Sequence, residues 1–340
     1  MKDQFTAMSR EEVLSNEGRK ELFNSHPLIT GSVLLPTAPI REVATMARKS
    51  CLLRESGLVF IGKSGVGKSC ALEMIESTLR EQFPRVAIYR HDTHNQSIPS
   101  IRAFFKHFLA TVGHHNVRGE TFDLRAILVN SLIDSARLHG ERMILLLVDE
   151  ANAMDVTDFD FLKDVYNDLA QENVKLVTIL IGQDPEFSQL VDKLIRMQRL
   201  DLIGRFAIRI VPFRAYRGSH DLEEIFEGID NQIFPFGTGV TWTEFFFPLA
   251  YAAGFRLKNQ VSSFLSSIET SKPAGLKLGS EIPARQMFSA VRSYLTDLAL
   301  FDEPGMIVPE GAWEAAIEYA ALTKAMAYMS ARKGNTRIRT

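Results

Sequence analysis

Cysteine is nearly absent. Only Cys51 and Cys70 occur in 340 residues and neither belongs to a CxxC pair, so a disulfide framework or a cysteine-rich zinc site is excluded, and a reducing compartment fits. Long apolar runs are also missing: none approaches the roughly 20 residues that a bilayer span needs. Met1 to Arg19 is polar and mixed in charge, so the chain is expected to be soluble, unexported and cytoplasmic, with no membrane partner. An excess of one charge is lacking as well. A net charge of -2 excludes coating nucleic acid by bulk charge, so any DNA contact must come from a local basic patch or an assembled surface. No internal repeat is visible. What is present is 46% hydrophobic and 24% charged residues, enough for a large core in one main domain and a smaller companion.

Residues 1 to 40 lack a strong apolar period and carry Pro27, Pro36 and Pro39, which reads as an N-terminal arm lying on the core. From 41 to 215, apolar runs alternate with helical spacing. Strands are expected at 57–61, 85–89, 143–148, 176–181 and 206–211, and helices at 40–53, 68–83, 98–112, 124–138 and 158–169. The intervening helices make the sheet parallel, and the fold class α/β. After Tyr216 the alternation stops and helices are expected at 222–226, 244–253, 257–268, 284–300 and 313–329, a helical domain over 216–331. A basic tail, 332–340, contains Arg332, Lys333, Arg337 and Arg339.

The stretch Gly62-Lys63-Ser64-Gly65-Val66-Gly67-Lys68-Ser69 fits G-x-x-x-x-G-K-[ST] between an expected strand and an expected helix. In that context the glycines let backbone N–H groups curve around phosphates, and the next helix adds its dipole. Gly62, Gly65, Val66, Gly67, Lys68, Ser69 and Cys70 are therefore candidate ATP-binding residues, with Lys68 reaching the β- and γ-phosphates and Ser69 a ligand of Mg²⁺. The apolar run Met143 to Val148 ends in Asp149-Glu150, two adjacent acids that are costly to place at a strand end without a cation. Asp149 is expected at the metal and Glu150 at the attacking water. Gln183, after another buried strand, is either a polar sensor of the γ-phosphate or a strand cap.

These motifs, with Val148-Asp149-Glu150-Ala151, Tyr166-Asn167-Asp168-Leu169, Leu180-Ile181-Gly182-Gln183 and Gly204-Arg205-Phe206, resemble the AAA+ regulators of DNA transposition known as TnsC and TniB, and more distantly MuB. The resemblance covers about residues 35 to 300. It implies an AAA+ P-loop NTPase fold with a five-stranded parallel sheet and a C-terminal helical lid. It further implies an ATPase that serves as an assembly switch, forming rings or helical filaments of six or seven copies per ring or turn on double-stranded DNA in a bacterial cytoplasm. Its partners would be a transposase and a target-selection protein, with hydrolysis controlling disassembly. By position, Arg205 matches the arginine finger and Arg285 looks like a second sensor arginine; a solvated surface charge is the alternative for each. The resemblance places DNA contacts at Lys106, Arg118 and Thr121, side chains suited to phosphates, although Glu120 and Asp123 lie nearby.

Two other readings stay open: a helicase-loader-like or translocating ATPase, and a signalling ATPase without DNA. His91-Asp92-Thr93-His94 reads as a polar strand-end loop rather than a metal site, since no third ligand follows at suitable spacing. Phe245-Phe246-Phe247 reads as core of the helical domain rather than an exposed partner site.

Overall fold

The computed structural model describes residues 8–93, 100–114, 118–272 and 280–331. The basic tail, His94 and the first residues of the helix expected from 98 lie outside them. Chain contacts divide the molecule into two compact units, one of residues 39–64 and 68–214, the other of residues up to Ala38, 65–67 and those from Ala215.

The first unit is built on a five-stranded sheet. Its strands are β1 (Leu58–Gly62), β2 (Ala87–Asp92), β3 (Met143–Asp149), β4 (Lys175–Gln183) and β5 (Arg209–Pro212), in the order β2-β3-β4-β1-β5 with every pairing parallel. Parallel strands covered on both faces should be apolar throughout, and all seven residues of β3 are buried. One face packs the helices Ile101–Thr111, Thr121–His139 and Val156–Gln171 into a core that includes Phe105, Leu128, Leu146, Phe159 and Leu180. Local chemistry sets their ends. The Ser100 side chain accepts from Ala103 N, Asp155 and Asp158 form a reciprocal capping box, and Gly140 closes the second helix in the left-handed conformation.

The expected fifth strand at 206–211 needs correction. Phe206 ends the helix Leu200–Phe206 and is fully buried beside Phe159 and Tyr166, and the strand begins at Arg209. A further helix, Glu186–Arg196, buries Phe187, Leu190, Val191 and Leu194 at helical spacing. The helix expected at 124–138 starts earlier, with Thr121 as its first residue.

The second unit is helical, with a short antiparallel pair of β6 (Tyr216–Arg217) and β7 (Glu281–Ile282). The expected helix 244–253 is two, Trp242–Phe246 and Pro248–Ala252, because Pro248 can start a helix but not continue one. The expected helix 313–329 is divided into Ala312–Tyr319 and Leu322–Ala331, with Ala321 at a φ of 50° between them. Phe245, Phe246 and Phe247 are buried in this unit's core. The same core takes Val13, Leu22, Leu28, Val33 and Leu35 from the N-terminal segment, which forms the helices Arg10–Leu14, Asn16–Phe23 and Pro27–Thr30. Arg10 pairs with Glu244, a buried carboxylate, and fastens that segment.

Candidate functional site

Three strands of the sheet deliver the candidate residues from their C-terminal ends, the side on which open α/β sheets bind ligands. β1 leads into the glycine loop, β4 lies beside it with Gln183 in register with Gly62, and β3 lies beside β4 and ends at Asp149.

In the loop, Gly65 and Gly67 have φ of 80° and 100°, a backbone that a side chain strains. The helix Lys68–Gln82 starts at once, so its free N–H groups face the loop. Lys68 is buried at 9% exposure, and its Nζ donates to the carbonyls of Gly62 at 3.1 Å and Lys63 at 3.0 Å. The ammonium is thereby held over the loop where a phosphate would sit. Ser69 is exposed on the first turn and Cys70 is half-buried. Burial, with Glu73 nearby, pushes the Cys70 thiol above its ordinary range, which disfavours the thiolate. The cradle and the neighbouring acids fit a nucleotide with Mg²⁺: Lys68 and the loop could hold the phosphates, and Ser69 and Asp149 the metal.

Asp149 is 5% exposed. Burial pushes its carboxyl above the usual range, while the Glu150 N–H on Oδ1 at 2.9 Å and the Arg90 guanidinium on Oδ2 at 3.1 Å pull the other way. Glu150 is exposed and sits in left-handed backbone at a φ of 51°, an uncommon conformation for a side chain of its size. Thr93, following β2, fixes this corner, since its hydroxyl lies within hydrogen-bond distance of the carbonyls of both Asp149 and Glu150 and shares its one proton between them. The Asn152 side chain accepts the Gln183 N–H at 2.8 Å, tying the ends of β3 and β4 together. Sequence reasoning missed Arg90, Thr93 and Asn152. A signal for the first existed in Arg90-His91-Asp92, two opposite charges at a spacing of two on one strand face.

Arg205 lies in the last turn of Leu200–Phe206, half-buried, with Nη1 donating to Asp201 O at 2.9 Å and the guanidinium 5.7 Å from the Tyr166 ring centre. Its helix is clamped to Val156–Gln171 by Arg199 and Lys163, each paired with Asp160 and Asp201. These pairs hold Asp201 down at about 2 and Asp160 below the usual carboxylate range. In the helical unit, Arg285 occupies the first turn of Ala284–Leu298; its N–H donates to Gly65 O at 3.0 Å and its side chain is exposed. Lys106 is half-buried on Ile101–Thr111, Arg118 is exposed, and Thr121 opens the next helix, which packs against the first. Among the described residues, no group of three or more His, Cys, Asp or Glu could hold a metal ion. His91 instead stacks on Phe108 and meets the Thr111 hydroxyl at 2.7 Å. No described helix is long and apolar enough to cross a membrane.

A family model described as an AAA domain matches residues 53–191. No curated protein sequence matches the chain. Among solved structures, the ORC2 protein of Aeropyrum pernix in ADPNP–ADP complexes is similar at a TM-score of 0.55 and 13% identity, over 85% of this chain and 68% of that one. The ORC1 protein of Aeropyrum pernix in complex with DNA gives 0.51 and 15%, over 91% and 68%. Cdc6p from Pyrobaculum aerophilum gives 0.50 and 13%, over 83% and 67%. At these identities the likeness is one of fold.

Proposed function

We propose that this chain, which carries an AAA-family domain in the AAA+ P-loop NTPase fold, is an ATPase that uses nucleotide state to assemble copies of itself on double-stranded DNA. The observation that carries the ATPase part of the reading is the convergence at the sheet's C-terminal edge of the glycine loop with its held Lys68, Gln183, and the Asp149-Glu150 corner. Lys68 and the N–H groups of residues 65 to 70 bind the phosphates, Ser69 and Asp149 hold the metal, and Glu150 orients water for attack. Bound Mg²⁺ would supply neutralisation of the phosphate charge that develops during transfer. Gln183 senses the γ-phosphate beside that water. Arg205 of one copy reaches the site of the next, and Arg285 contacts phosphate in its own chain. Copies then cooperate on DNA, so that the modest contacts of Lys106, Arg118 and Thr121 add up along an assembly.

For biological setting, the fold likeness to proteins named ORC1, ORC2 and Cdc6p, one of them solved with DNA, supports an initiator- or loader-like switch. The stretches Tyr166 to Leu169 and Leu180 to Gln183 support the narrower reading, a transposition regulator that links a target-selection protein to a transposase. In the domain organisation that goes with either reading, residues 41–215 bind nucleotide, 216–331 form the lid and 1–40 the arm.

Negative-stain electron microscopy with double-stranded DNA and a non-hydrolysable ATP analogue tests the common core. Rings or filaments that need both nucleotide and DNA are expected, and nucleotide binding with no assembly on DNA would overturn the DNA switch. Addition of a transposase or of a replicative helicase then separates the two settings by which one is recruited.

A further inference from the structure

Arg90 has no place in the phosphate chemistry above, yet it touches the carboxylate assigned to the metal. It stands on β2, and residues 90 and 92 of a strand point to the same sheet face. The β2–β3 register pairs Asp92 with Asp149, so Arg90, Asp92 and Asp149 share that face at one edge of the site. The guanidinium bridges them: Nη2 donates to Asp149 Oδ2 at 3.1 Å and Nε to Asp92 Oδ1 at 3.1 Å. Its two partners differ in surroundings. The Asp149 side chain is 7% exposed and that of Asp92 58% exposed. A buried carboxylate without a counter-charge is costly, whereas an exposed one is solvated at little cost. Asp149 therefore needs a cation whether or not metal is present, and Asp92 offers the arginine somewhere to go when metal arrives.

Resting on the metal role given to Asp149, we infer that Arg90 is an internal counter-ion that occupies Asp149 in the metal-free state and withdraws onto Asp92 when Mg²⁺ enters. Metal and guanidinium compete for one carboxylate. Arg90 is thus a positioning residue that sets how strongly metal and nucleotide binding are coupled, and Asp92 is its resting place.

The test uses the full chain and a fluorescent, non-hydrolysable ATP analogue. Its dissociation constant is measured in EDTA and in saturating Mg²⁺, and the ratio of the two reports the coupling. Complexation of metal by free analogue is the same for every variant and cancels between them. Arg90→Gln is expected to raise the ratio about fivefold, the scale of a partly exposed ion pair, and Asp92→Asn to lower it about as much. In the Arg90→Gln background, Asp92→Asn should have no effect, which separates loss of the resting place from simple loss of a negative charge near the metal. An unchanged ratio in both single variants, or a fall in Arg90→Gln, overturns the inference. Should Arg90→Gln fail to fold, as judged by its circular dichroism melt, Arg90→Met, which keeps the apolar stem and removes the charge, takes its place in the same comparisons. Wild type that binds the analogue in neither condition refutes the phosphate-site reading itself, a different outcome from wild type that binds while the variants do not move.

Discussion

Lys68 has two tasks in the proposed reading, and two measurements on one variant tell them apart. Its ammonium fills the loop by donating to Gly62 and Lys63, and in the proposed reading it also attracts phosphate. Lys68→Ala is expected to weaken ATP binding at least a hundredfold, as two or more charge-assisted hydrogen bonds are lost, while the melting temperature moves by only a few degrees. Equilibrium titration alongside a thermal melt checks both, and tight ATP binding by this variant would remove the loop from its role. Glu150→Gln keeps shape and hydrogen bonding but cannot take a proton from water. Binding should persist, turnover should fall at least a hundredfold, and assembled protein should accumulate on DNA; unchanged phosphate release would exclude Glu150 from the chemistry. Both residues were legible because their motifs are contiguous strings. Arg90 was legible only in part: its pairing with Asp92 shows as opposite charges two residues apart, but the pair it makes with Asp149 spans 59 positions and depends on a strand register that no local pattern encodes.

Elements were legible in proportion to length and period. The helices 68–82 and 156–171 and the run of β3 stand out, whereas the N-terminal helices are four to eight residues long and owe their existence to caps at Ser9, Ser15 and His26 and to tertiary burial. The helix Glu186–Arg196 did carry an apolar period; its neighbour Leu200–Phe206 is too short to show one, and Phe206 at its end was absorbed into the following strand. His26 shows what holds the N-terminal helices. It is fully buried among Phe234, Trp242, Phe245 and Phe246, its Nδ1 accepts the Leu28 N–H at 3.2 Å, and burial pushes its pKa down to about 3. The unfolded chain, with an ordinary value of about 6.5, takes up a proton that the folded chain refuses. Stability from this group is complete above about pH 6.5 and falls by about 1.4 kcal/mol per pH unit below it, down to about pH 3. Denaturant melts between pH 7 and 5 should show that slope, and His26→Phe should flatten it; an unaltered slope would assign acid sensitivity elsewhere.

At the scale of the assembled molecule, the proposed roles of Arg205 and of the DNA-facing residues yield opposite signatures. Arg205→Ala should leave nucleotide binding intact and lower turnover by about a thousandfold. Mixing it with Lys68→Ala subunits should restore part of that turnover, because each variant supplies what the other lacks; no recovery on mixing would place Arg205 outside the neighbour's site. Lys106→Glu with Arg118→Glu should weaken DNA binding and flatten its dependence on salt, with nucleotide affinity unmoved. A binding isotherm identical to wild type would put the DNA face elsewhere. The division of the chain has a consequence for its synthesis. The unit of residues 39–64 and 68–214 interrupts the other, whose core joins Val13, Leu22 and Leu28 to residues beyond Ala215. On the ribosome, at roughly 5–20 residues per second, the first helices must wait on the order of tens of seconds for the partners that bury them. The sheet unit is synthesised whole within that interval, so the first turns stay without the partners that bury them until residues beyond Ala215 emerge.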